Sequence, residues 1–480
     1  MMKFITTRCQ DKEYTFEEAL FSPGYVAGGL LLPKTIPQIS QEVLKSWLGL
    51  SLPQVCKQIL PLFISGEEIS QEDLEALIDD AYSRLPLDQV AALSSFPNGL
   101  NVLELGNTKT LAFKDLSTFI MARLLEFYFK KREKHVTILV GTSGDTGPSS
   151  IEAIRGSGWM DIVVLFPKGY CTEIQEIQMT TVMDENVHVY SVEGCSDDVD
   201  EPIKAVCLDQ DFKAIHNLCT MNSINMCRVL CQIVAYFYGY LKVCRSVGDE
   251  VEIVVPTGAA GNITGGCLAY RMGLPIKLVC TVNSNDLLHR MLSTGELSTA
   301  PSVIKTYSVA MDIQNPYNIE RIFSLFSNRD TALVKKIMEE FETGGKTTLP
   351  ASLLQKMQKV LSSASFDNQT VLKTMQRCWS DHHYLICPHT AVAVSYYFSK
   401  LDRMEANQTL HQPTLCFASA HPAKFPEALV AAGLEPKPTP YITNLQVMPK
   451  RCLEMKRGQN WEKILREKIK EISKRAGVDQ

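Results

Sequence analysis

Apolar and polar positions along this 480-residue chain repeat one order: an apolar run, a loop of small polar residues, then a helical pattern. The order occurs three times, and each apolar run has the length of a buried strand. The runs and their loops are 135–140 with 141–147, 251–255 with 256–262, and 414–418 with 419–421. Strands that alternate with helices predict a parallel sheet, whose loops after the strands collect at one edge.

Helical patterns follow each of these loops. The first pattern covers 148–155, the second extends to about Met272, and the third begins at Pro422. Further strands are predicted near 161–166 and 187–192. Free N–H groups and helix dipoles favour anions where such loops meet helix starts, so we expect a ligand with several anionic groups.

Turn signals divide the chain into three parts. Residues 1–95 form a mostly helical lead-in, in which Ser70 caps a helix. Residues 96–245 and 246–480 form two α/β domains, each with a parallel sheet. Within the second domain, 318–380 is mostly helical and poor in glycine, and the charged tail from Lys456 is a surface helix.

Composition and charge exclude several classes of protein. The net charge is −5 with both signs interspersed, so no nucleic-acid partner is expected. Fifteen scattered cysteines without a Cys-x-x-Cys pair indicate reduced thiols, and no metal site is predicted. The apolar run 226–244 contains Arg228, Gln232 and Lys242, so we interpret it as a buried helix and not a membrane span. The amino terminus has no apolar signal segment, and a cytoplasmic location is the expectation.

Lys114 is the first candidate for catalysis. It stands between Phe113 and Asp115 at the start of a helical pattern. Burial against the aromatic ring would lower the ammonium pKa, and a neutral amine can attack an aldehyde. A solvated Lys–Asp ion pair is the alternative.

The loop 258–262 is a candidate phosphate site. Its small residues let backbone N–H groups approach a phosphate closely at a helix start: Gly258, Ala259, Ala260, Gly261 and Asn262. An ordinary turn between strand and helix is the alternative. No lysine follows as in a nucleotide-binding P-loop, and the spacing of Gly141, Gly144 and Gly147 is not that of a dinucleotide site.

Two further segments are candidates for substrate binding. The loop Ser143, Gly144, Asp145 and Thr146 suits a carboxylate, provided that Asp145 points away and caps the helix. In the second segment Ser223, Asn225 and Arg228 share a helix start, and an arginine there can bind a phosphate through two hydrogen bonds. A capped helix with a structural salt bridge is the alternative for the second segment.

Several motifs, in order along nearly the whole chain, resemble the threonine synthase family of fold-type-II pyridoxal-phosphate enzymes. They are FKD at 113–115, TSGDTG at 142–147, NSIN at 222–225 with Arg228, VPTG at 255–258 and ASAHPAKF at 418–425. GAAGN at 258–262 and CPHTAV at 387–392 are most similar to the vertebrate threonine synthase-like protein 2 branch. The resemblance implies two α/β domains of the tryptophan synthase β-like kind.

The resemblance also implies the cofactor pyridoxal phosphate, bound covalently by Lys114, with its phosphate at 258–262 and Ser419 at the pyridine nitrogen. The branch implies a lyase that removes phosphate from O-phosphothreonine or O-phosphohomoserine, giving 2-oxobutyrate, ammonia and phosphate. A true threonine synthase, which adds water to O-phosphohomoserine's carbon skeleton, is one alternative. A catalytically silent binding or secreted signalling protein is another. The expected partner is a small phosphorylated amino acid, and the protein is a monomer or homodimer.

The chain departs from the family pattern on the substrate side. Asn107 and Thr108 stand where a His-Gly pair is usual, and Met226 replaces a usual tryptophan. The loop 258–262 has Ala259 and Ala260 where an Asn-Phe pair is common. We therefore expect cofactor binding to be kept more closely than substrate choice.

Overall fold

The structure is a computed structural model, and it describes residues 2–26, 28–86, 89–404 and 412–478. The helices are α1 Phe16–Leu20, α2 Gln41–Ser46, α3 Leu52–Ile59, α4 Gln71–Ser83, α5 Asp115–Arg132, α6 Thr146–Ile154, α7 Glu173–Thr180, α8 Ser196–Leu208, α9 Gln210–Ile215, α10 Met226–Val243, α11 Gly261–Arg271, α12 Leu287–Thr294, α13 Ile319–Phe326, α14 Thr331–Gly344, α15 Ala351–Gln358, α16 Asn368–His382, α17 Pro388–Asp402, α18 Pro426–Ala431, α19 Pro440–Gln446 and α20 Trp461–Arg475. Short 3₁₀ turns cover Leu60–Leu62, Val309–Met311 and Pro422–Lys424.

The strands form two parallel sheets and two small antiparallel ones. They are β1 Phe4–Thr6, β2 Tyr25–Val26, β3 Gly29–Pro33, β4 Ala92–Ser95, β5 Asn101–Glu104, β6 Val136–Gly141, β7 Met160–Pro167, β8 Val187–Val192, β9 Leu218–Thr220, β10 Val251–Pro256, β11 Ile276–Val282, β12 Glu296–Ser298, β13 Lys346–Thr348, β14 Leu361–Ser365, β15 Thr414–Ala418 and β16 Leu453–Met455.

The first parallel sheet has the strand order β16-β8-β7-β6-β9. All of its strand pairs are parallel. Every residue of β7 is buried, which fits a strand covered by helices on both faces. The strands predicted near 136–140, 161–166 and 187–192 are confirmed as β6, β7 and β8.

The second parallel sheet has the order β14-β11-β10-β15-β5-β4, with β4 antiparallel at one edge. The strands predicted at 251–255 and 414–418 are confirmed as β10 and β15. The structure adds the edge strand β14 within 318–380, which the sequence predicts to be mostly helical. The sequence of β14, LSSAS, is short and polar, so it lacks the apolar run of a buried strand. The α/β class with two parallel sheets is confirmed.

Strand pairing crosses the predicted boundary between the domains 96–245 and 246–480 in both directions. β5 lies within the predicted domain 96–245, yet it pairs with β15 of the second sheet. β16 lies in the tail of the predicted domain 246–480, yet it pairs with β8 of the first sheet. The two sheets therefore exchange chain segments, and α20 also packs against α8 beside the first sheet.

The lead-in 1–95 contains the helix that Ser70 was expected to cap, now α4. It is not purely helical, because β1, β3 and β2 form an antiparallel sheet. Each residue of β3 is buried. A short apolar run such as 30–33 fits a strand or a buried helical turn equally well, which explains the difference from the prediction.

The carboxyl ends of β6, β10 and β15 bring their loops together, as the sequence predicts. α6 and α11 begin directly after the first two loops. The helix expected to open at Pro422 is instead a 3₁₀ turn followed by α18. The chain before α5 joins the third loop, since the Phe113 N–H donates to the Ser419 carbonyl at 2.8 Å. This bond places Lys114 beside the loops of both sheets.

The predicted buried helix at 226–244 is confirmed as α10, which packs against α5 and α11. In the residues that the structure describes, no helix has the length and apolar character needed to span a membrane. All fifteen cysteines are free thiols.

Candidate active site

A single pocket at the joined loops collects most of the predicted site residues. Its empty space, together with the open solvent at its mouth, amounts to about 950 Å³. The residues that line it and were predicted are Lys114, Ser143, Asp145, Thr146, Ser223, Arg228, Gly258, Ala259, Ala260, Gly261, Asn262 and Ser419. Residues from both parallel sheets therefore face one ligand-sized space.

Lys114 occupies the position just before α5, with only 14% of its side chain exposed. Burial lowers the pKa of its ammonium group, and the nearby cations Arg228 and Lys424 act in the same direction, whereas Asp145 opposes them. Its Nζ lies 5.5 Å from the centre of the Phe113 ring. The Lys–Asp pair of the sequence is not an ion pair, because Asp115 is buried and accepts hydrogen bonds from the Thr110 N–H and hydroxyl.

Asp145 does not cap α6 through its side chain, contrary to the sequence expectation. Its carboxylate instead receives Lys114 Nζ at 3.2 Å and Lys424 Nζ at 2.9 Å. The amide of Gln175 donates to the same carboxylate at 2.9 Å. Despite burial, the neighbouring positive charge, that of Lys424 included, holds the pKa of Asp145 well below its usual range, so this group is an anion beside Lys114.

The loop after β10 fits a phosphate group. Within the described residues, none of the backbone N–H groups from Gly258 to Asn262 donates to a protein acceptor. These groups stand at the N-terminus of α11, where free donors and the helix dipole bind anions. The chain here is unusually tight, since Ala260 has the left-handed backbone angle φ +60°.

Close approach of neighbouring residues, and not the backbone angle, restricts the space for a side chain at two glycines of this loop. A Cβ on Gly261 would lie 2.6 Å from Ser223 Cβ. A Cβ on Gly258 would lie 3.1 Å from the Ala310 carbonyl oxygen and from Met311 Cα. Neighbouring loops therefore press against the phosphate loop from two sides.

Ser419 lies at the end of β15 and is 8% exposed. Its carbonyl accepts from Phe113, whereas its hydroxyl has no hydrogen-bond partner among the described residues. A hydroxyl that faces the pocket in this way can donate to, or accept from, a heterocyclic nitrogen. The placement matches the role that the resemblance implies for Ser419.

The loop after β6 supplies small polar groups to the pocket. The Thr142 hydroxyl accepts the N–H groups of Gly144 and Gly147, each at 3.0 Å, which fixes the loop. Ser143 and Thr146 line the pocket, whereas Gly144 does not. Gly144 has φ +134° and lies against the side chain of Gln175, so its part is to shape the loop.

Arg228 is 2% exposed and lines the same pocket from α10. Its guanidinium donates to the Met221 carbonyl at 2.8 Å, but its Nε has no partner in the described residues. Burial lowers its pKa to about 10, which leaves it a cation at neutral pH. A buried cation with an unused N–H donor fits an anionic ligand group.

Asn225 is not brought to the pocket. It is fully buried beneath it, and its amide donates to the carbonyls of Leu20, Ser22 and Thr220. Its side-chain oxygen accepts from the Cys227 N–H and so caps α10. In this segment Asn225 therefore caps the helix, as the alternative interpretation has it, whereas Ser223 and Arg228 line the pocket.

Several residues at the pocket were not selected from the sequence. Asp197 and Asp200 come from α8, Asn315 and Tyr317 from the chain before α13, and His389 from α17. Burial raises the pKa of Asp200 to about 7, helped by the nearby charge of Asp197. The run of carboxylates at 197–201 was visible in the sequence, but nothing near 315–317 marked a site.

Asn318 joins the two sides of the pocket, although its side chain was also not selected. Its amide donates to the Ser223 hydroxyl and to the Ala259 carbonyl, each at 3.0 Å. Arg321, one turn further on α13, donates to the backbone carbonyls of Ser223 and Ile224. α13 therefore holds the phosphate loop and the Ser223 segment in register.

Comparison with known proteins agrees with this site. Three family models match in sequence: "Threonine synthase N terminus" at 3–82, "Pyridoxal-phosphate dependent enzyme" at 78–411 and "Threonine synthase, C-terminal" at 390–466. The chain belongs to the threonine synthase family. Its cofactor is pyridoxal phosphate, and the free N–H groups at 258–262, the buried Lys114 and the free hydroxyl of Ser419 fit that group.

Relatives match over almost their whole length. "Threonine synthase-like 2" of Pongo abelii is 46% identical, with 99% of this chain and 98% of the relative covered. "Threonine synthase" of Schizosaccharomyces pombe is 34% identical, with 93% and 92% covered. The crystal structure of pyridoxal-phosphate-bound threonine synthase from Brucella melitensis is 33% identical, covers 98% of this chain and 99% of its own, and has a TM-score of 0.89.

Proposed function

We propose that the protein is a pyridoxal-phosphate-dependent lyase that removes phosphate from O-phosphothreonine or O-phosphohomoserine. The products are inorganic phosphate, ammonia and 2-oxobutyrate. The observation that carries the proposal is the pairing of Lys114 with the buried cation Arg228 in one pocket. Lys114 serves as the base, and Arg228 offers an unused donor to a second anionic group beside the cofactor's own phosphate site.

In this scheme the cofactor, when bound, withdraws electrons from the substrate's Cα and makes its proton acidic. Lys114 would hold the cofactor covalently and, once released by the substrate, would accept that proton. Free backbone groups and the hydroxyls of Ser143 and Thr146 would bind the substrate carboxylate. Ser223 and Arg228 would bind the leaving phosphate, whose negative charge a charge-assisted hydrogen bond stabilises.

A true threonine synthase remains the second candidate, supported by relatives and solved structures named threonine synthase. The two reactions differ in the fate of the carbon skeleton. A lyase releases an unsaturated amine that hydrolyses to the 2-oxoacid and ammonia, whereas a synthase adds water and keeps the amino group. The same pocket residues serve both reactions up to the loss of phosphate.

Incubation with O-phosphothreonine and with O-phosphohomoserine separates these candidates. Phosphate, 2-oxobutyrate, ammonia and threonine are measured in each mixture. Equal amounts of phosphate, ammonia and 2-oxobutyrate support the lyase. An amount of threonine equal to the phosphate released from O-phosphohomoserine would contradict the lyase and support the synthase. The absence of phosphate release from either substrate would contradict both activities.

Lys114→Ala tests the covalent role. The variant should lose the visible absorbance of covalently bound cofactor and all turnover, while its circular dichroism spectrum stays unchanged. Borohydride reduction of the wild-type holoenzyme, followed by peptide mapping, should label the peptide that contains Lys114. A label on another lysine would contradict the assignment.

A further inference from the structure

Asp145 lies between two buried lysines. Its two carboxylate oxygens meet Lys114 Nζ at 3.2 Å and Lys424 Nζ at 2.9 Å. The side chain of Lys424 is fully buried, and that of Asp145 is 4% exposed. If both lysines were protonated, this cluster would hold two positive charges and one negative charge. A net charge in a buried site costs free energy, so the cluster is more stable when one of the two lysines is a neutral amine.

Other charged groups around the cluster do not supply the missing negative charge. Arg228 from α10 acts on Lys114 and Asp115 from α5 acts on Lys424, so together they add one positive and one negative charge and leave the excess of positive charge unchanged. His389 from α17 is neutral, because burial lowers its pKa to about 4. Asp197 and Asp200 line the far side of the pocket on α8, and burial raises the pKa of both.

Hydrogen bonding separates the two lysines. Lys424 Nζ donates to Asp145 and also to the Thr110 carbonyl at 3.2 Å, so two fixed acceptors hold its ammonium group. Lys114 Nζ has the Asp145 carboxylate as its acceptor and faces the Phe113 ring. An ammonium with more fixed acceptors keeps its proton more readily. The ammonium group that pairs with the shared Asp145 carboxylate is therefore that of Lys424.

We propose that Lys424 is the permanent counter-ion of Asp145, and that Lys114 is thereby held as a neutral amine at neutral pH although it touches a carboxylate. Lys424 acts as a positioning residue, because it does not line the pocket. The use of this amine to bind the cofactor and to accept a proton rests on the proposed function, but the protonation state itself does not.

The arrangement explains why a carboxylate can stand beside the reactive lysine. A carboxylate alone would stabilise the ammonium form and remove the base. With Lys424 present, the carboxylate's charge is already balanced, so Asp145 orients Lys114 by hydrogen bonding without keeping it protonated. Gln175 holds Asp145 from a third side, at 2.9 Å.

Competitive acetylation of the full-length chain, freed of cofactor, measures the protonation of Lys114. The labelled fraction of the Lys114 peptide is followed by mass spectrometry from pH 5 to pH 10, and its midpoint gives the pKa of the amine. Lys424→Met leaves Asp145 with Lys114 alone. Its midpoint should rise by about one pH unit, so the reactive amine falls about tenfold at a pH below both midpoints. At that pH the cofactor should also be bound about tenfold more slowly.

Three further variants sharpen the test. Lys424→Gln removes the same charge but keeps an N–H donor for Thr110, and it replaces Lys424→Met if that variant does not fold. Lys424→Arg keeps the charge and should keep the low midpoint. Lys109→Met removes a half-exposed lysine whose Nζ is 3.9 Å from the Glu152 carboxylate and which is absent from the cluster, so the Lys114 midpoint should not change.

A merely structural Lys424 would lower the melting temperature of Lys424→Met without moving the Lys114 midpoint, and that result would overturn the proposal. A midpoint as high in Lys424→Arg as in Lys424→Met would also overturn it. A raised midpoint in Lys424→Met, together with no release of phosphate by the wild-type enzyme, would support the proton assignment and contradict the proposed function. The two failures are therefore distinguishable.

Discussion

Gly261 has no space for a side chain, and the obstacle is Ser223 on the opposite side of the pocket. Gly261→Ala places a Cβ 2.6 Å from Ser223 Cβ, so either the phosphate loop or the Ser223 segment must move. We expect the variant to lose cofactor at least tenfold faster on dialysis, measured by the visible absorbance that remains with the protein. Its melting temperature in the absence of cofactor should change less.

Gly265→Ala on the same helix is the matched control. A Cβ there meets its nearest neighbour at 3.4 Å, an ordinary contact. Both substitutions add one Cβ to a glycine of α11, so the comparison tests the crowding at Gly261. Equal retention of cofactor in the two variants would show that the phosphate loop does not need the close approach.

Arg228 offers a test of substrate charge. Its loss removes a charge-assisted contact of roughly 1.5–3 kcal/mol, so Arg228→Ala should lower kcat/KM for O-phosphothreonine or O-phosphohomoserine by about 10- to 150-fold. Slow dehydration of serine or threonine should change little, because these substrates carry no phosphate. Steady-state assays on both substrate sets check this expectation. Equal losses of kcat/KM on both substrate sets would show that Arg228 has a structural role, through its hydrogen bond of 2.8 Å to the Met221 carbonyl, and does not bind the substrate phosphate.

Among the elements, those that follow a local pattern could be predicted from the sequence. The runs before Gly141, Gly258 and Ser419 are apolar and end in small residues, so their strands and the pocket at their ends were predicted. Lys424 and Asn318 were not selected, because each acts on a partner far away in the chain. Nothing in the local sequence distinguishes a buried lysine that meets a distant carboxylate from one in solvent.

α13 has a positioning role that can be tested at the pocket. Asn318 donates to the Ser223 hydroxyl and to the Ala259 carbonyl, each at 3.0 Å. Asn318→Ala removes both bonds, worth together about 1–3 kcal/mol, and also the side-chain oxygen that accepts from the Arg321 guanidinium. We expect weaker cofactor binding and a higher KM for the phosphorylated substrate, each by about tenfold, measured by absorbance titration and by initial rates.

Ser327→Ala is the control for this element. Ser327 follows the same helix at its other end, and its hydroxyl donates to the Ser324 carbonyl at 3.4 Å, far from the pocket lining. Cofactor binding by Ser327→Ala should match the wild type. If Asn318→Ala also matched the wild type, α13 would not hold the two loops in register.

At the scale of the whole molecule, the two parallel sheets were predictable but their exchange of strands was not. β5 has four residues and β16 has three, too few for an alternating or apolar run to identify a partner. Their places are decided by long-range pairing, Leu415 to Asn101 in one case and Leu453 to Tyr190 in the other. Sequence patterns define elements more securely than they define which sheet an end strand joins.

The lead-in is fastened to the rest of the molecule by a buried ion pair next to the site. The Arg8 guanidinium donates to the Glu320 carboxylate at 2.8 and 3.0 Å. Glu320 lies in the first turn of α13, next to Arg321. Arg8→Ala leaves the carboxylate of Glu320, whose side chain is 2% exposed, without its paired cation, although the Thr7 hydroxyl still donates to it. Breaking a buried pair in this way costs about 3–5 kcal/mol.

The expected result is a loss of that size in the free energy of unfolding, measured by urea titration of Arg8→Ala. The double variant Arg8→Met with Glu320→Gln leaves only Glu342 unpaired, and that side chain is 40% exposed to solvent. It should therefore be more stable than Arg8→Ala, since the cost lies in the buried unpaired carboxylate and not in the lost attraction. Cofactor loss should follow the same order, because α13 supports the phosphate loop through Asn318. A double variant no more stable than Arg8→Ala would mean that the lead-in is held by packing alone, and that Glu320 is neutralised by other groups.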